Sequence, residues 1–218
     1  MNIKEISPSE IEIAGVRLIL LPEAAIYIPS RKELLIADLH LGKVEHFRKN
    51  GIGVPGEVSD KDIDTLQSLI ATYIPRRVIF LGDLFHSSYN SSWDRFIKMT
   101  TNFSDIDFHL IIGNHDILDN DKYASLIRSK EYKIGDIICT HEPLTVPISE
   151  RYNLCGHIHP GVRLRGKGKQ YLRLPCYFFG AQLGIMPAFG SFTGLYTVKP
   201  TKEDKVYVLA ENIVSQVH

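Results

Sequence analysis

The sequence predicts an α/β fold in which a sheet of alternating strands and helices is extended by, or packed on, a mostly antiparallel sheet. Three observations carry that expectation. Strand-length apolar runs alternate with helical patterns over roughly the first 130 residues, and strand-type runs then follow one another. No low-complexity tract, internal repeat or Pro/Ser-rich linker divides the chain, so residues 1–218 are expected to form one domain. With 218 residues, 44% hydrophobic and 23% charged, there is material for a sizeable core, and disorder is excluded as the general state.

Taken in order, residues 17–21, 24–28 and 34–37 read as short strands. The Gly- and Pro-punctuated stretch 51–56 leads to Ser59, a candidate helix cap. Over 60–73, Ile63, Leu66, Leu69, Ile70 and Tyr73 keep helical spacing, with Asp60, Asp62 and Asp64 near the start to favour the helix dipole. Residues 78–81 read as a buried strand, 93–100 as a helix, 108–112 as a strand and 123–128 as part of a short helix. Strands then dominate at 134–140, around Leu154, and at 171–174, 194–198 and 205–209.

Apolar runs fall short of the roughly 20 residues of a membrane span, and the first residues lack a signal-peptide pattern, so the cytoplasm is the expected compartment and no membrane partner is expected. Cys139, Cys155 and Cys176 are odd in number and hold no C-x-x-C pair, which fits a reducing compartment and small buried side chains. Twenty-five basic residues balance 25 acidic ones, which excludes a uniformly basic coat for nucleic acid. The balance is uneven, however. Residues 1–150 hold 16 basic and 22 acidic side chains, whereas 151–202 hold eight basic and none acidic.

The histidines and aspartates are placed more tellingly than they are counted. Asp38 and His40 follow the 34–37 run, Asp83 follows 78–81, Asn114, His115 and Asp116 follow 108–112, His141 follows 134–140, and His157 and His159 follow Leu154. Five strands thus end in donors, and the carboxyl ends of strands are where α/β sheets gather ligands. In Asp38-x-His40 and His157-x-His159, side chains two apart on extended backbone share a face, so each pair is expected to enter one cluster. Gly82, Gly113 and Gly156 precede donors, where a missing side chain lets the backbone turn and approach an ion. Asp38, His40, Asp83, Asn114, His141, His157 and His159 form an O/N set without thiolate, suited to Mn, Fe or Zn. Seven donors exceed the needs of one ion and suit two if Asp83 bridges them, the arrangement that clamps a phosphoryl group.

Asp38-x-His40, Gly82-Asp83, Gly113-Asn114-His115-Asp116, His141 and Gly156-His157-x-His159, in this order, resemble the motifs of the calcineurin-like metallophosphoesterase superfamily. Residues 36–43 (IADLHLGK) with Phe47 and Arg48, 51–55 (GIGVP), 81–87 (LGDLFHS), 186–190 (MPAFG) and 192–194 (FTG) narrow the resemblance to the DNA-ligase-associated metallophosphoesterases, over nearly the whole chain. The resemblance implies two packed mixed β-sheets flanked by helices. It implies one ion on Asp38, His40 and His159, a second on Asn114, His141 and His157, and Asp83 between them. His115 would contact the phosphate and protonate the leaving oxygen, with Asp116 orienting it. The chain departs from many relatives at His86, where they carry Asp or Arg; this makes phosphoprotein phosphatase activity less expected and His86 a candidate contact to phosphate or to a metal ligand.

Arg163, Arg165, Lys167, Lys169 and Arg173 alternate with Leu164, Gly166, Gly168 and Tyr171 just after His159. This is either a solvated hairpin or a track for a polyanion beside the metals, to which Lys43 and Arg48 would add. Tyr171, Phe178 or Phe179 could stack a base. His109 is expected to pack rather than ligate, and a Cys155-His157-His159 zinc site lacks a fourth donor at usual spacing. The combined expectation is a binuclear Mn-dependent endonuclease for single-stranded DNA in repair, with Fe or Zn as alternative ions. The resemblance also suggests association with a DNA ligase, helicase and exonuclease. A small-molecule phosphodiesterase or phosphomonoesterase is the main alternative, and a non-catalytic metal-binding scaffold the third.

Overall fold

The computed structural model describes residues 8–43, 51, 57–86, 91–146, 150–166, 168, 170–191 and 193–218, with the side chains of 57–60 and 120 excepted. The first of two mixed sheets runs in chain order: β1 (Ser9–Ile13), β2 (Val16–Leu20), β3 (Ala25–Ile28), β4 (Glu33–Ile36), β5 (Arg77–Phe80), β6 (Asp107–Ile111) and β7 (Ile127–Ser129). β1 to β4 form an antiparallel meander, and β4 to β7 are parallel. Helix α1 (Glu57–Tyr73) lies between β4 and β5, and α2 (Ser91–Asn102) between β5 and β6, as parallel neighbours require.

The second sheet holds β8 (Tyr132–Ile134), β9 (Ile137–Thr140), β10 (Tyr152–Cys155), β11 (Pro160–Arg165), β12 (Tyr171–Phe179), β13 (Leu183–Ile185), β14 (Tyr196–Thr197), β15 (Lys205–Ala210) and β16 (Ile213–Gln216). Its order is β14-β11-β12-β13-β10-β9-β8, with β15 pairing β12 and β16 pairing β15. Antiparallel pairs predominate, but β10 is parallel to both β9 and β13. Among the described residues, no helix is long and apolar enough to cross a membrane.

All four residues of β4 are buried because both of its faces are covered. Leu34 and Ile36 face the helices, in a cluster with Leu66, Ile70, Val78, Phe80, Phe96 and Leu110. Leu35 and Ala37 face the second sheet, in a cluster with Ile79, Leu81, Cys139, Leu154 and Tyr177. The period-2 alternation of one strand therefore packs helices on one side and a sheet on the other. Cys139, Cys155 and Cys176 are buried free thiols, as expected.

Several elements differ from their sequence patterns. Helix α1 begins at Glu57, so Ser59 lies inside the helix rather than capping it. Residues 123–128 do not form a helix: one 3₁₀ turn (Asn120–Tyr123) is followed by β7, whose backbone pairs in parallel with β6 at the sheet edge. The 134–140 run is two strands, because Gly135 at φ +57° turns β8 back onto β9. The 194–198 run shrinks to the two residues of β14. β1, β7, β11, β13 and β16 lie outside the expected strands: β1 and β11 alternate apolar and charged residues over only four positions, β7, β13 and β16 are shorter still in pattern, and cross-strand partners define them all.

Candidate metal centre

Three strands of the first sheet (β4, β5, β6) and two of the second (β9, β10) end at one rim, and the seven expected donors lie in the loops that follow them. Beyond its strand, the first loop stays beside the second: Asp38 N donates to Gly82 O at 3.3 Å, His40 N to Asp83 O at 2.9 Å and Leu41 N to Leu84 O at 2.9 Å. The loops are not extended, which corrects the reason expected for the ligand pairs. Asp38, His40, Asp83, His157 and His159 all take positive φ, between 49° and 64°. Each such residue costs about 1–2 kcal/mol unless its surroundings compensate.

One pair stays together and the other divides. Asp38 and His40 join His159 in one group, whereas His157 joins Asp83 and His141 in another, the donor atoms within each group lying within 4.8 Å of one another. His40 Nε2 is 3.3 Å from His159 Nε2, and Asp38 Oδ1 is 3.5 Å from His159 Nε2. In the second group His157 Nδ1 is 3.1 Å from His141 Nε2, and Asn114 Oδ1 lies 3.0 Å from the same nitrogen. Asp83 spans the groups, with Oδ1 3.4 Å from His141 Nε2 and Oδ2 3.9 Å from His40 Nε2.

This donor set fits divalent cations. His141 Nδ1 lies 2.9 Å from Leu81 O, and a carbonyl only accepts, so Nδ1 is the donor there and Nε2 is the nitrogen turned to the cluster. Nε2 faces two oxygens, Asn114 Oδ1 and Asp83 Oδ1. Asp38 Oδ1 is buried without a hydrogen-bond partner, although Oδ2 accepts from His157 N at 2.8 Å. Acceptors converging in a buried site are costly without a cation among them. Ligands bound at about 2.0–2.2 Å to one ion stand roughly 3.0–3.5 Å apart, which is the spacing found here. Burial, more than any other influence, pushes the pKa of His40 down to about 2, so the ring is held neutral, as a ligand must be. Mn supplied at about 100 times its Kd for one such group should stabilise the fold by about 2.7 kcal/mol. The expected readout is a Tm rise of roughly 5–10 °C; a Tm indifferent to Mn and to chelator would speak against a metal centre.

The glycines serve packing between ligands more than approach to an ion. A Cβ on Gly156 would sit 2.6 Å from Asp38 Oδ2, and one on Gly113 would strike the backbone nitrogen and Oδ1 of Asp83. His115 is anchored by its backbone, N donating to Asp83 Oδ1 at 2.9 Å, and its ring lies 5.5 Å from that of His40 and 4.9 Å from that of His86. His86 is 5.6 Å from His40 and thus borders the cluster.

Asp116 binds three backbone donors. Its Oδ1 accepts from Leu84 N at 3.0 Å and Phe85 N at 3.2 Å, and its Oδ2 from Gly113 N at 2.9 Å. It thereby ties the Asp83 loop to the Asn114 loop. Burial pushes its carboxyl up to about 6 against the pull of these donors. Neither this role nor the Leu81 carbonyl under His141 has a sequence signal, since both depend on backbone groups.

Lys43 is half-buried and feels the charges of Asp83 and Asp38, which places it at the site; Arg48 lies outside the described residues. Arg163 and Arg165 are not in the metal cluster. They occupy the exposed face of β11, with Arg163 in register with Arg173 and Arg165 with Tyr171 on β12. The opposite face packs Val162, Leu164 and Leu174 against Cys176, Val206 and Val208. The Arg163 guanidinium carbon lies 3.6 Å from the centre of the Tyr171 ring, a cation–π contact. Two arginines directly opposite one another repel, and among the described residues no ion pair relieves Arg163, Arg165 or Arg173. Lys167 and Lys169 lie outside the described residues. Of the aromatics expected to stack a base, Phe179 is buried between the sheets and Phe178 packs behind the hairpin, which leaves Tyr171. His109 packs, as expected, with Nε2 2.7 Å from Ser129 Oγ and its ring on Tyr132. Cys155 is buried in the core and belongs to neither group.

The family model for calcineurin-like phosphoesterases matches residues 32–176. Among solved structures, the Pseudomonas putida nuclease MPE is similar at 28% identity and a TM-score of 0.81, over 97% of this chain and 100% of that one. The E. coli phosphoesterase YfcE is matched at 12% identity and a TM-score of 0.42, over 85% of this chain and 96% of that one. A search of curated proteins finds no match.

Proposed function

The chain belongs to the calcineurin-like phosphoesterase family and is a metal-dependent phosphoesterase; from that premise we propose that it is a binuclear phosphodiesterase that cleaves single-stranded DNA endonucleolytically, with Mn as its metal, in the cytoplasm. The observation that carries the reading is Asp83 standing between two groups of imidazole and carboxylate donors, with the His115 backbone N donating to it. In this reading Asp38, His40 and His159 hold one ion, Asn114, His141 and His157 hold the other, and Asp83 serves both. Two bound cations supply an activated water and neutralise the charge that builds on the phosphate oxygens. His115, fixed through its own backbone, contacts the phosphate and gives a proton to the leaving oxygen. His86 and Lys43 line the approach to the phosphate.

Support for a nucleic-acid substrate comes from the similarity to a nuclease and from the exposed arginines of the β11–β12 hairpin, which make no ion pair among the described residues. At about 3.3 Å per residue, Arg163 stands within roughly 13 Å of His159 along the chain, a distance that a few nucleotides span. Tyr171 is half-exposed on the same face and offers a stacking surface. The resemblance to DNA-ligase-associated relatives extends the proposal to a functional association with a DNA ligase, helicase and exonuclease.

The test compares single-stranded DNA, duplex DNA and bis-p-nitrophenyl phosphate with added Mn. Wild type is expected to cleave the single strand and the small ester. Arg163→Ala combined with Arg165→Ala should lower DNA cleavage about tenfold and make its salt dependence shallower by about 1.4 in log–log slope, two contacts at about 0.7 each. Hydrolysis of the small ester should stay within about twofold. Equal loss on both substrates would remove the hairpin from the substrate path, and ester hydrolysis without any DNA cleavage would make this a small-molecule phosphoesterase.

A further inference from the structure

The 186–190 stretch was distinctive in the sequence, and the chemistry at the metal cluster does not use it. It follows β13 and lies along the loop that bears Asp38 and His40. Met186 N donates to Cys155 O at 2.8 Å, Phe189 N to Ala37 O at 2.8 Å and Gly190 N to Asp38 O at 3.2 Å. A Cβ on Gly190 would meet Leu39 O at 2.5 Å and Asp38 O at 3.2 Å, so the two backbones are in direct contact. The loop that bears Asp38 is thus flanked by Gly82 on one side and by Phe189 and Gly190 on the other.

The outer side of this stretch is fastened to α1. Asp62 is buried, and both of its carboxylate oxygens face Ser191: Ser191 N is 3.3 Å from Oδ1 and 3.1 Å from Oδ2, and the Ser191 hydroxyl makes a short hydrogen bond to Oδ1. Asp62 is therefore not a helix-dipole aspartate, as its place near the start of α1 suggested. It is the fixed end of a chain of contacts that runs from the helix through Ser191 and Gly190 to the peptide between Asp38 and Leu39.

We propose that Asp62 and Ser191 are positioning residues for the first metal group: by holding residues 189–191 against the Asp38 loop they keep Asp38 and His40 in their left-handed conformations, with their donors directed toward His159. This rests on the reading of the cluster as a metal centre. Residues held at unfavourable φ persist only where the surroundings over-determine them, and here the Asp62–Ser191 contact adds a link to α1 on one flank of the loop. Among the described residues, the second group shows no such link to α1: Asp83 Oδ1 accepts from His115 N, His141 Nδ1 lies against Leu81 O, and His157 N donates to Asp38 Oδ2.

Calorimetric titration of Mn into metal-free wild type, Asp62→Asn, Ser191→Ala and Ser191→Thr tests the assignment, with Tm of the metal-free proteins measured alongside. Wild type is expected to bind two ions. Asp62→Asn and Ser191→Ala should weaken one binding step by about five- to twentyfold and leave the other within twofold. Ser191→Thr keeps the hydroxyl and should bind as wild type does. Raising Mn should restore turnover of bis-p-nitrophenyl phosphate to within about twofold of wild type. Unchanged affinity at both steps, or equal weakening of both, would overturn the positioning role even if Tm falls. Wild type binding fewer than two ions would overturn the metal-centre reading itself, and the clamp with it.

Discussion

Asp83→Ala is expected to abolish hydrolysis of every substrate, with kcat on single-stranded DNA and on bis-p-nitrophenyl phosphate falling at least about 10³-fold. Asp83 is the residue that faces both donor groups, Oδ1 toward His141 Nε2 at 3.4 Å and Oδ2 toward His40 Nε2 at 3.9 Å. Its removal takes one of the two carboxylates from a site proposed to hold two dications, and leaves His115 N, which donates to Oδ1 at 2.9 Å, without its acceptor. A 10³-fold loss corresponds to about 4 kcal/mol, within the several kcal/mol that metal-based charge stabilisation supplies. Stability should respond differently. In the metal-free protein Asp83 is a buried carboxyl whose burial costs offset the one backbone hydrogen bond it accepts, so its loss should leave the metal-free Tm little changed while the rise on adding Mn shrinks. Retention of more than a tenth of wild-type turnover would end the claim that Asp83 serves both groups.

Gly82→Ala should damage both fold and activity although it adds a single methyl group. Gly82 has φ +82°, and a Cβ there would lie against His141 Nδ1, Cγ and Cβ. The imidazole cannot simply swing aside, because Nδ1 is committed to Leu81 O at 2.9 Å and His141 directly follows the buried strand β9. Overpacking of about 1–3 kcal/mol adds to about 1 kcal/mol of backbone strain, so Tm should fall by roughly 5–15 °C. Displacing His141 should also lower kcat at least about 100-fold. Gly15→Ala separates the two causes, since Gly15 has a similar φ of +72° with nothing within 4 Å of the added carbon. That variant should lose about 1 kcal/mol and keep full activity. If both variants behave alike, backbone strain alone is responsible and the contact with His141 is not.

Much of the centre was legible before any coordinates because its donors follow apolar runs. Residues 34–37, 78–81 and 108–112 announce themselves by composition, and the loops after them bring Asp38, His40, Asp83 and Asn114 to the rim where β9 and β10 deliver His141, His157 and His159. Positive φ at all four residues replaces the extended backbone expected to pair them: Asp38 and His40 still enter one group, whereas His157 and His159 enter different ones, the division that the family resemblance implied. Asp116 and Asp62 look like local features, a partner for the adjacent histidine and a charge near a helix start, yet Asp116 accepts from Leu84 N and Phe85 N as well as from nearby Gly113 N, and Asp62 accepts from Ser191 N, so their reach was not legible.

The sequence by itself therefore determined which atoms arrive at the centre and in what order, because strand hydrophobicity and donor chemistry are properties of a few adjacent residues. Only the tertiary structure decided the left-handed backbone that delivers those donors, which glycines must stay bare and which carboxylates hold loops. These outcomes depend on single backbone dihedrals and on how two sheets and a helix meet, and their energies are spread over contacts between segments that are remote in the chain.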